Sequence, residues 1–448
     1  METEKDDVLD CRIEDMGVYG EGITHVGGQT VFIPGAITGE RVSARVVLAK
    51  PTLAHAVLER IIETSPSRAE PPCPYFKQCG GCSLQHVSYP FQLALKRDIV
   101  RVAFRKYAGI DADVAETIAS PEIFGYRNKL SLPVRRYPKK GTVRGLFAKK
   151  THRIVEIGDC MLQKPGIFAA AEEAFEFAMS QGLKGYDETD GSGDLRHIVV
   201  RSIGGVTAVT FVLNGERQRF CDALADKYSS AVGSVFININ TARNNVILGD
   251  TTIPKRNKAQ GLIDGMPVSA HPQAFFQVND GVREKLYAAV TDRIESGSIV
   301  VDAYCGGGLM SALLARKAKR VIGVEISQAA VDCAEVLRKS QKAENLSFVC
   351  GDCAVKLPEV FKEIASADRT AVVLDPPKSG CQGSVIDSVL SVAPEKIVYV
   401  SCNPATLARD CALFVRGGYD LAEVTPFDMF PQTTSVETLV VLRRKRCD

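Results

Sequence analysis

The stretch Ser298-Ile299-Val300-Val301-Asp302-Ala303-Tyr304-Cys305-Gly306-Gly307-Gly308 decides the fold. Its first half is a short apolar run, and such runs mark strands buried on both faces of a sheet. Its second half is a glycine turn that lets backbone approach a ligand at the start of a following helix. The same alternation continues through RVIGVEI, LSFVCGD, TAVVLDPP and KIVYVSCN, and SVETLVVLRRK closes the chain. Residues 271–448 therefore read as an α/β unit: a Rossmann-like, largely parallel sheet with helices on each side.

Working towards the N-terminus, residues 63–270 read as a central, β-rich unit. FQLALKRDIVRVAFRKY spaces its apolar positions helically over 91–107. From 121 to 265 the pattern is of strands, interrupted by one helix between Gly166 and Gln181. A Pro- and Ser-rich linker over 65–72 precedes the unit. Residues 1–62 show four or five short strands punctuated by glycine, which predicts a small closed barrel of OB type, because closure removes exposed edges.

Composition bounds the function. The 448 residues are 45% hydrophobic and 24% charged, with a formal net charge of +2. Nucleic-acid binding must then come from local patches rather than from global charge. The acidic start lacks the apolar core of a signal peptide and no run is long enough to span a membrane, so a cytoplasmic protein is expected. Fourteen cysteines are many for such a chain. A disulfide framework belongs to short secreted chains, so some of these thiols are expected to be metal ligands or nucleophiles. Others, such as Cys11, Cys221, Cys333 and Cys447, read as small apolar residues.

Four constellations carry chemistry. Cys73, Cys79 and Cys82, spaced C-x5-C-x2-C beside Gly80-Gly81, form a candidate metal site with Cys160 as the fourth ligand. Spacing alone leaves zinc and an iron–sulfur cluster both open. Tyr304 and the triple glycine, with Glu325 nineteen residues beyond Gly306, form a candidate adenosine pocket in which the carboxylate accepts ribose hydroxyls. A dinucleotide would be held by the same logic. Asp375, stiffened by Pro376-Pro377 and followed by Lys378, sits at a strand end where ligands bind. Cys402, in Ser401-Cys402-Asn403-Pro404, is a thiol at the tip of the next strand, and Glu437 opens the last strand as a candidate base. Together these imply nucleophilic addition to an electron-poor ring.

With those pieces in hand, the chain resembles the RNA uracil-C5 methyltransferase family that makes 5-methyluridine, and within it the branch acting on 23S ribosomal RNA. The resemblance rests on CPYFKQCGGCSLQH with Cys160, Phe276-Gln277-Val278-Asn279, DAYCGGG, DPPK, VSCNP and DMFPQTTSVETLVVL, in order along nearly the whole chain. It implies a TRAM domain over 1–62 and a 4Fe–4S cluster on Cys73, Cys79, Cys82 and Cys160. It also implies an S-adenosylmethionine-dependent methyltransferase domain over 271–448. Cys402 would add to uracil carbon 6 and Glu437 would remove the carbon-5 proton. Gln277, Tyr304, Glu325, Asp352 and Asp375 would hold the cofactor. The family's DPP motif usually continues with Arg, and here Lys378 replaces that fork with a point charge.

RNA is the expected partner, with transfer RNA the alternative substrate, a non-catalytic RNA-binding protein the alternative function, and a monomer the expected state. Between Pro121 and Cys160, ten Lys or Arg face three Asp or Glu, a local charge of 10 − 3 = +7. Arg127, Lys129, Arg135, Arg136, Lys139, Lys140 and Arg144 lie around Tyr126 and Tyr137, a pattern that fits phosphate contact and base stacking. Arg443-Arg444-Lys445-Arg446 adds charge at the C-terminus.

Overall fold

A computed structural model describes residues 3–228, 232–257, 260–364 and 369–445; Arg446 and Cys447 lie outside the described residues. The chain opens with β1 (Val8–Arg12), β2 (Asp15–Met16), β3 (Glu21–Val26), β4 (Gln29–Pro34), β5 (Arg41–Lys50) and β6 (Leu53–Glu63). They form one sheet in the order β1-β5-β6-β4-β3-β2, antiparallel except for β4 and β6. Alternating residues of β4 and β5 (Val31, Ile33, Val42, Ala44, Val46) fill a small core beneath it.

This corrects the expectation of a separate, closed OB-like TRAM barrel. The ladder is open, with β1 and β2 as its two edges. Nor does the sheet stand apart, since Met16 and Ile37 share an apolar cluster with Leu84, Val87 and Leu95 from the next segment. Short strands bounded by glycine predict a sheet, but its closure depends on long-range pairing that local sequence does not encode.

Next comes α1 (Tyr89–Ala103), started by Pro90 in its first turn and ending in one π-helical turn, Phe104–Ala108. The central region holds β7 (Lys129–Tyr137), β8 (Gly141–Arg144), the short hairpin β9 (Leu146–Phe147) and β10 (Ile154–Val155), and α2 (Ile167–Ser180). It continues with β11 (Leu195–Ile203), β12 (Val206–Leu213), α3 (Gln218–Lys227), β13 (Ser234–Ile239) and β14 (Thr251–Asn257). The sheet runs β14-β13-β12-β11-β7-β8, and α2 packs its Ala171, Ala174 and Ala178 onto it. A second hairpin, β15 (Gly261–Ile263) and β16 (Met266–Val268), leads into the C-terminal half.

That half contains α4 (Asp280–Asp292), β17 (Ile299–Ala303), α5 (Leu309–Ala315), β18 (Arg320–Glu325) and α6 (Gln328–Ser340). Then follow β19 (Leu346–Cys350), α7 (Cys353–Ile364), β20 (Thr370–Leu374), α8 (Gly383–Val392), β21 (Lys396–Ser401), α9 (Pro404–Arg416), β22 (Tyr419–Phe427) and β23 (Glu437–Arg444). The strand order is β19-β18-β17-β20-β21-β23-β22, parallel except for β23, which inserts antiparallel between β21 and β22. Val301, Ala303, Val372 and Leu374 face α7, α8 and α9, while Val300, Val321, Val373 and Val398 face α4, α5 and α6. Burial on both faces explains the unbroken apolar runs. Strand order reverses beside β17, which opens a crevice at the carboxyl ends of β17, β18 and β20. No helix among the described residues is long and apolar enough to cross a membrane.

Candidate active site

The crevice encloses about 570 Å³, and its walls include Gln277, Tyr304, Glu325, Asp352, Asp375, Cys402 and Glu437. All seven cofactor and catalytic residues named from the sequence meet there. Tyr304 leaves β17 at a φ of +66°, a left-handed conformation rare for a ring-bearing residue. Gly308 follows at +79°, where a Cβ would lie 2.7 Å from both Ala334 and Phe348, so the turn needs glycine. Glu325 is held by two backbone donors: Gly306 N–H to Oε2 at 3.1 Å and Ser327 N–H to Oε1 at 2.8 Å. Each oxygen keeps a lone pair for a diol. Asp352 accepts from Ala354 N–H at 2.9 Å at the start of α7. Gln277 is buried, its backbone carbonyl held by the Asn128 amide at 2.9 Å. Phe275 and Ile326, 62% and 68% exposed, offer apolar surface along the same crevice. Diol acceptor, apolar walls and open glycine backbone together fit an adenosine-bearing cofactor.

Strand register brings the candidate nucleophile and base together. Ser401 pairs with Thr438 across the antiparallel β21–β23 ladder, so Cys402 and Glu437, one step further out, emerge side by side. Asn403 caps α9 and donates from its amide to the Lys378 carbonyl at 2.9 Å, while the Thr406 hydroxyl donates to the same oxygen at 3.3 Å. The Cys402 turn and the Asp375-Pro376-Pro377-Lys378 loop are thereby tied into one unit. Behind them, fully buried Asp410 accepts from Tyr399 Oη–H at 2.7 Å and Cys381 N–H at 2.8 Å.

The electrostatics are acidic. Burial, with the nearby Glu325 charge, pushes Asp302 up to about 7, against a hydrogen bond from Ser311. Burial and Asp302 push Asp375 up to about 7. Burial and Asp375 together hold Glu437 well above the carboxylate range. The Cys402 thiol rises to about 11, first through burial and then through Glu437 and Asp375, with Lys378 acting in the opposite direction. Asp302 and Asp410 were not singled out from sequence; the available signal was a polar residue inside an apolar run.

The cysteine quartet needs correction. Cys73, Cys79, Cys82 and Cys160 do line one cavity of about 330 Å³. Yet among the described residues no group of three or more His, Cys, Asp or Glu side chains is arranged to hold a metal ion. Burial raises the Cys79 and Cys160 thiols and pushes Cys82 up to about 12. The 4Fe–4S cluster and the iron–sulfur domain expected from C-x5-C-x2-C are therefore not supported. Spacing shows which thiols are neighbours, not whether their sulfurs converge on one point.

The basic stretch also differs from a single solvated face. Arg135 is buried against Glu188, Arg144 pairs with Glu172, and Lys140 meets Glu156 at 3.3 Å. Two of its seven net charges are thus met by Glu188 and Glu172 from outside the stretch, Glu156 being already counted within it.

Comparison with known proteins bears on the same residues. A family model described as tRNA (uracil-5-)-methyltransferase matches residues 263–445. The chain is 36% identical to an uncharacterized RNA methyltransferase of Halalkalibacterium halodurans, with 98% of each covered. It is 35% identical to another from Clostridium tetani, over 98% of this chain and 97% of that one. The crystal structure of Pyrococcus abyssi tRNA (uracil-54, C5)-methyltransferase with S-adenosyl-L-homocysteine superposes with a TM-score of 0.74 at 25% identity, covering 97% of this chain and 100% of that one. The assignment to a 23S ribosomal branch, which leaned on barrel and cluster, is corrected by these matches and by the missing cluster geometry. Full-length relatives and the crevice agree: the chain belongs to the S-adenosylmethionine-dependent RNA (uracil-C5)-methyltransferase family.

Proposed function

We propose that the chain methylates carbon 5 of a uridine in transfer RNA, with Cys402 as nucleophile and Glu437 as base. One observation carries the roles: β21 and β23 deliver a thiol and a carboxylate side by side into the crevice that also holds Asp375 and the glycine turn. Transfer RNA is favoured by the family model's description and by the full-length likeness to the Pyrococcus abyssi enzyme. Division of the chain near residues 62 and 270 belongs to the same proposal, supported by three large sheets each drawn from one segment, although one apolar cluster joins Ile203, Ala208 and Phe236 to the last sheet.

In this reading Lys378 favours the Cys402 thiolate, the thiol proton leaving to solvent. Sulfur adds to uracil carbon 6, the 5,6 double bond opens, and negative charge builds on carbon 5 and its carbonyl neighbour. S-adenosylmethionine, when bound, supplies an electrophilic methyl group to that carbon. Glu437 then takes the carbon-5 proton, the double bond re-forms and the carbon–sulfur bond breaks, returning Cys402. Gln277, Tyr304, Glu325, Asp352 and Asp375 bind and orient the cofactor. Because the cofactor carries a positive sulfonium, its binding beside Asp375 and Glu437 would stabilise their ionised forms.

Nucleoside mass spectrometry tests this on unmodified transfer-RNA transcripts incubated with S-adenosylmethionine. The wild type should produce 5-methyluridine and Cys402→Ala none. Methylation of 23S ribosomal RNA alone would overturn the target, and a product methylated elsewhere on the base would overturn the chemistry.

A further inference from the structure

Away from the crevice, the central sheet carries a second cavity of about 600 Å³, within the range of ligand sites. Its wall is built from Arg135 on β7, Arg196 and His197 on β11, Phe147, His152 and the loop around Asn245. A β-bulge between Leu195 and His197 breaks the β11–β12 register at Arg196, a device that re-aims side chains beside functional sites.

The groups are stacked. The Arg196 guanidinium lies 4.4 Å from the Tyr186 ring centre, and Arg135 lies 5.7 Å from the same ring and 5.5 Å from Phe147. His152 stacks on Phe147 at 5.2 Å with 25° between planes. Glu188 is shared between Arg135 and His152, so three cations (Arg135, Lys150, Arg196) face one carboxylate. Arg135, Arg196 and His197 are only 4–6% exposed, yet among the described residues Arg135 Nε, Arg196 Nε and His197 Nδ1 have no hydrogen-bond partner. Among the described residues Arg196 pairs with no carboxylate: its Nη1 donates to the carbonyls of Asn240 and Ala242, each at 2.7 Å. Burying unmatched cations and leaving their donors idle is costly unless an anion arrives.

The cavity also abuts its neighbours. It shares Gly81 and Leu146 with the cysteine-lined cavity, which in turn shares Val278 with the catalytic crevice. We propose that this cavity is a second nucleotide-binding subsite, taking a phosphate-bearing nucleotide of the substrate RNA other than the target uridine. Phosphate meets Lys150 and the arginines, and the base lies against the Phe147–His152 face with the Asn244–Asn245 amides at its edge. This rests on RNA being the substrate.

The test uses the full chain and an unmodified transfer-RNA transcript. Among the exposed members of the cavity wall, His152 and Lys150 are the ones that can carry charge, so His152→Ala with Lys150→Ala removes contacts without opening the core. Kd and KM for the transcript should rise about tenfold, and the slope of log affinity against log salt should fall by about one, the share of one phosphate contact. Lys339→Ala, on the exposed side of α6, should change neither. A photo-crosslinker at Asn245 should capture a nucleotide other than the methylated uridine. Unchanged Kd and salt slope, or crosslinking to the target uridine alone, would sink the subsite. Uridine monophosphate binding more tightly than the transcript would assign the cavity to a free nucleotide instead, and also overturn it. A wild type that binds without methylating would defeat the transfer-RNA reading, while Kd and crosslinks still judge the subsite. No binding at all would defeat both.

Discussion

Two cavities in this chain bury charge of opposite sign. In the catalytic crevice Asp302, Asp375, Glu325 and Glu437 outnumber Lys378, and burial drives Asp302, Asp375 and Glu437 towards their neutral forms. In the central-sheet cavity Arg135, Arg196 and Lys150 outnumber Glu188, and burial with the two arginines holds His197 down at about 3. Each is electrostatically incomplete, and each lacks what the other has in excess. The difference teaches that unsatisfied charge is a clue to the sign of the missing guest: a cation for the first, an anion for the second.

The comparison breaks most sharply at Cys402. Cys402→Ala should reduce turnover at least about 10⁴-fold, because the ring is left without its activating bond. Residual 5-methyluridine at near wild-type rate would remove the nucleophile from the acidic crevice. Glu437→Gln should slow turnover by about 10³-fold while still forming the sulfur–carbon bond. A protein–RNA adduct surviving denaturing electrophoresis is expected from that variant, and its absence from both would contradict the division of labour.

Among the described residues lining the crevice, Lys378 is the one lysine, and it offsets the acids around the thiol. Lys378→Met should lower kcat/KM about tenfold at pH 7, and rate should climb more steeply towards alkaline pH than in wild type, because Cys402 already sits at about 11. An unchanged pH profile would show that the thiolate is stabilised elsewhere. The smallest effect is on stability. Asp375 is raised from 3.8 to about 7, so the folded chain holds a proton that the unfolded chain has released, and wild-type stability falls as pH rises through that window. Asp375→Asn should therefore gain thermal stability over wild type progressively between pH 4 and pH 7, reaching on the order of 5 °C and levelling off above. A difference independent of pH would mean the carboxyl is already ionised.

The acidic crevice was legible in the sequence and the basic cavity was not, for a physical reason. SIVVDAY, RVIGVEI and TAVVLDPP became β17, β18 and β20, because strands buried on both faces must be continuously apolar. In such a sheet function collects at strand tips, where Tyr304, Asp375 and Cys402 each follow the last strand residue directly. The insertion of β23 between β21 and β22 was not readable, since SVETLVVLRRK looks alike in either direction. The basic cavity assembles Arg135, Glu188, Arg196 and Asn245 from loops and strands far apart in sequence, with no spacing to betray them. Likewise the cysteine spacing was read correctly as proximity and wrongly as a metal centre.

The loop that leads into β23 has its own consequence. Gln92 on α1 clasps Gln432 in both directions at 3.0 Å, and Ser83 and Leu84 donate their N–H groups to the Gln432 carbonyl at 3.0 Å. Lys96, wholly buried with Asp428, donates to the Phe430 carbonyl at 2.9 Å, and Tyr126 donates to that of Pro431 at 3.0 Å. Five side chains or backbone groups from residues 83–126 thus hold the turn on which Glu437 depends. The catalytic half is consequently not a portable module. Cut loose near residue 263, it would keep its sheet and its crevice walls but lose the brace that aims its carboxylate, so the upstream residues are as much tooling for the chemistry as a grip on RNA.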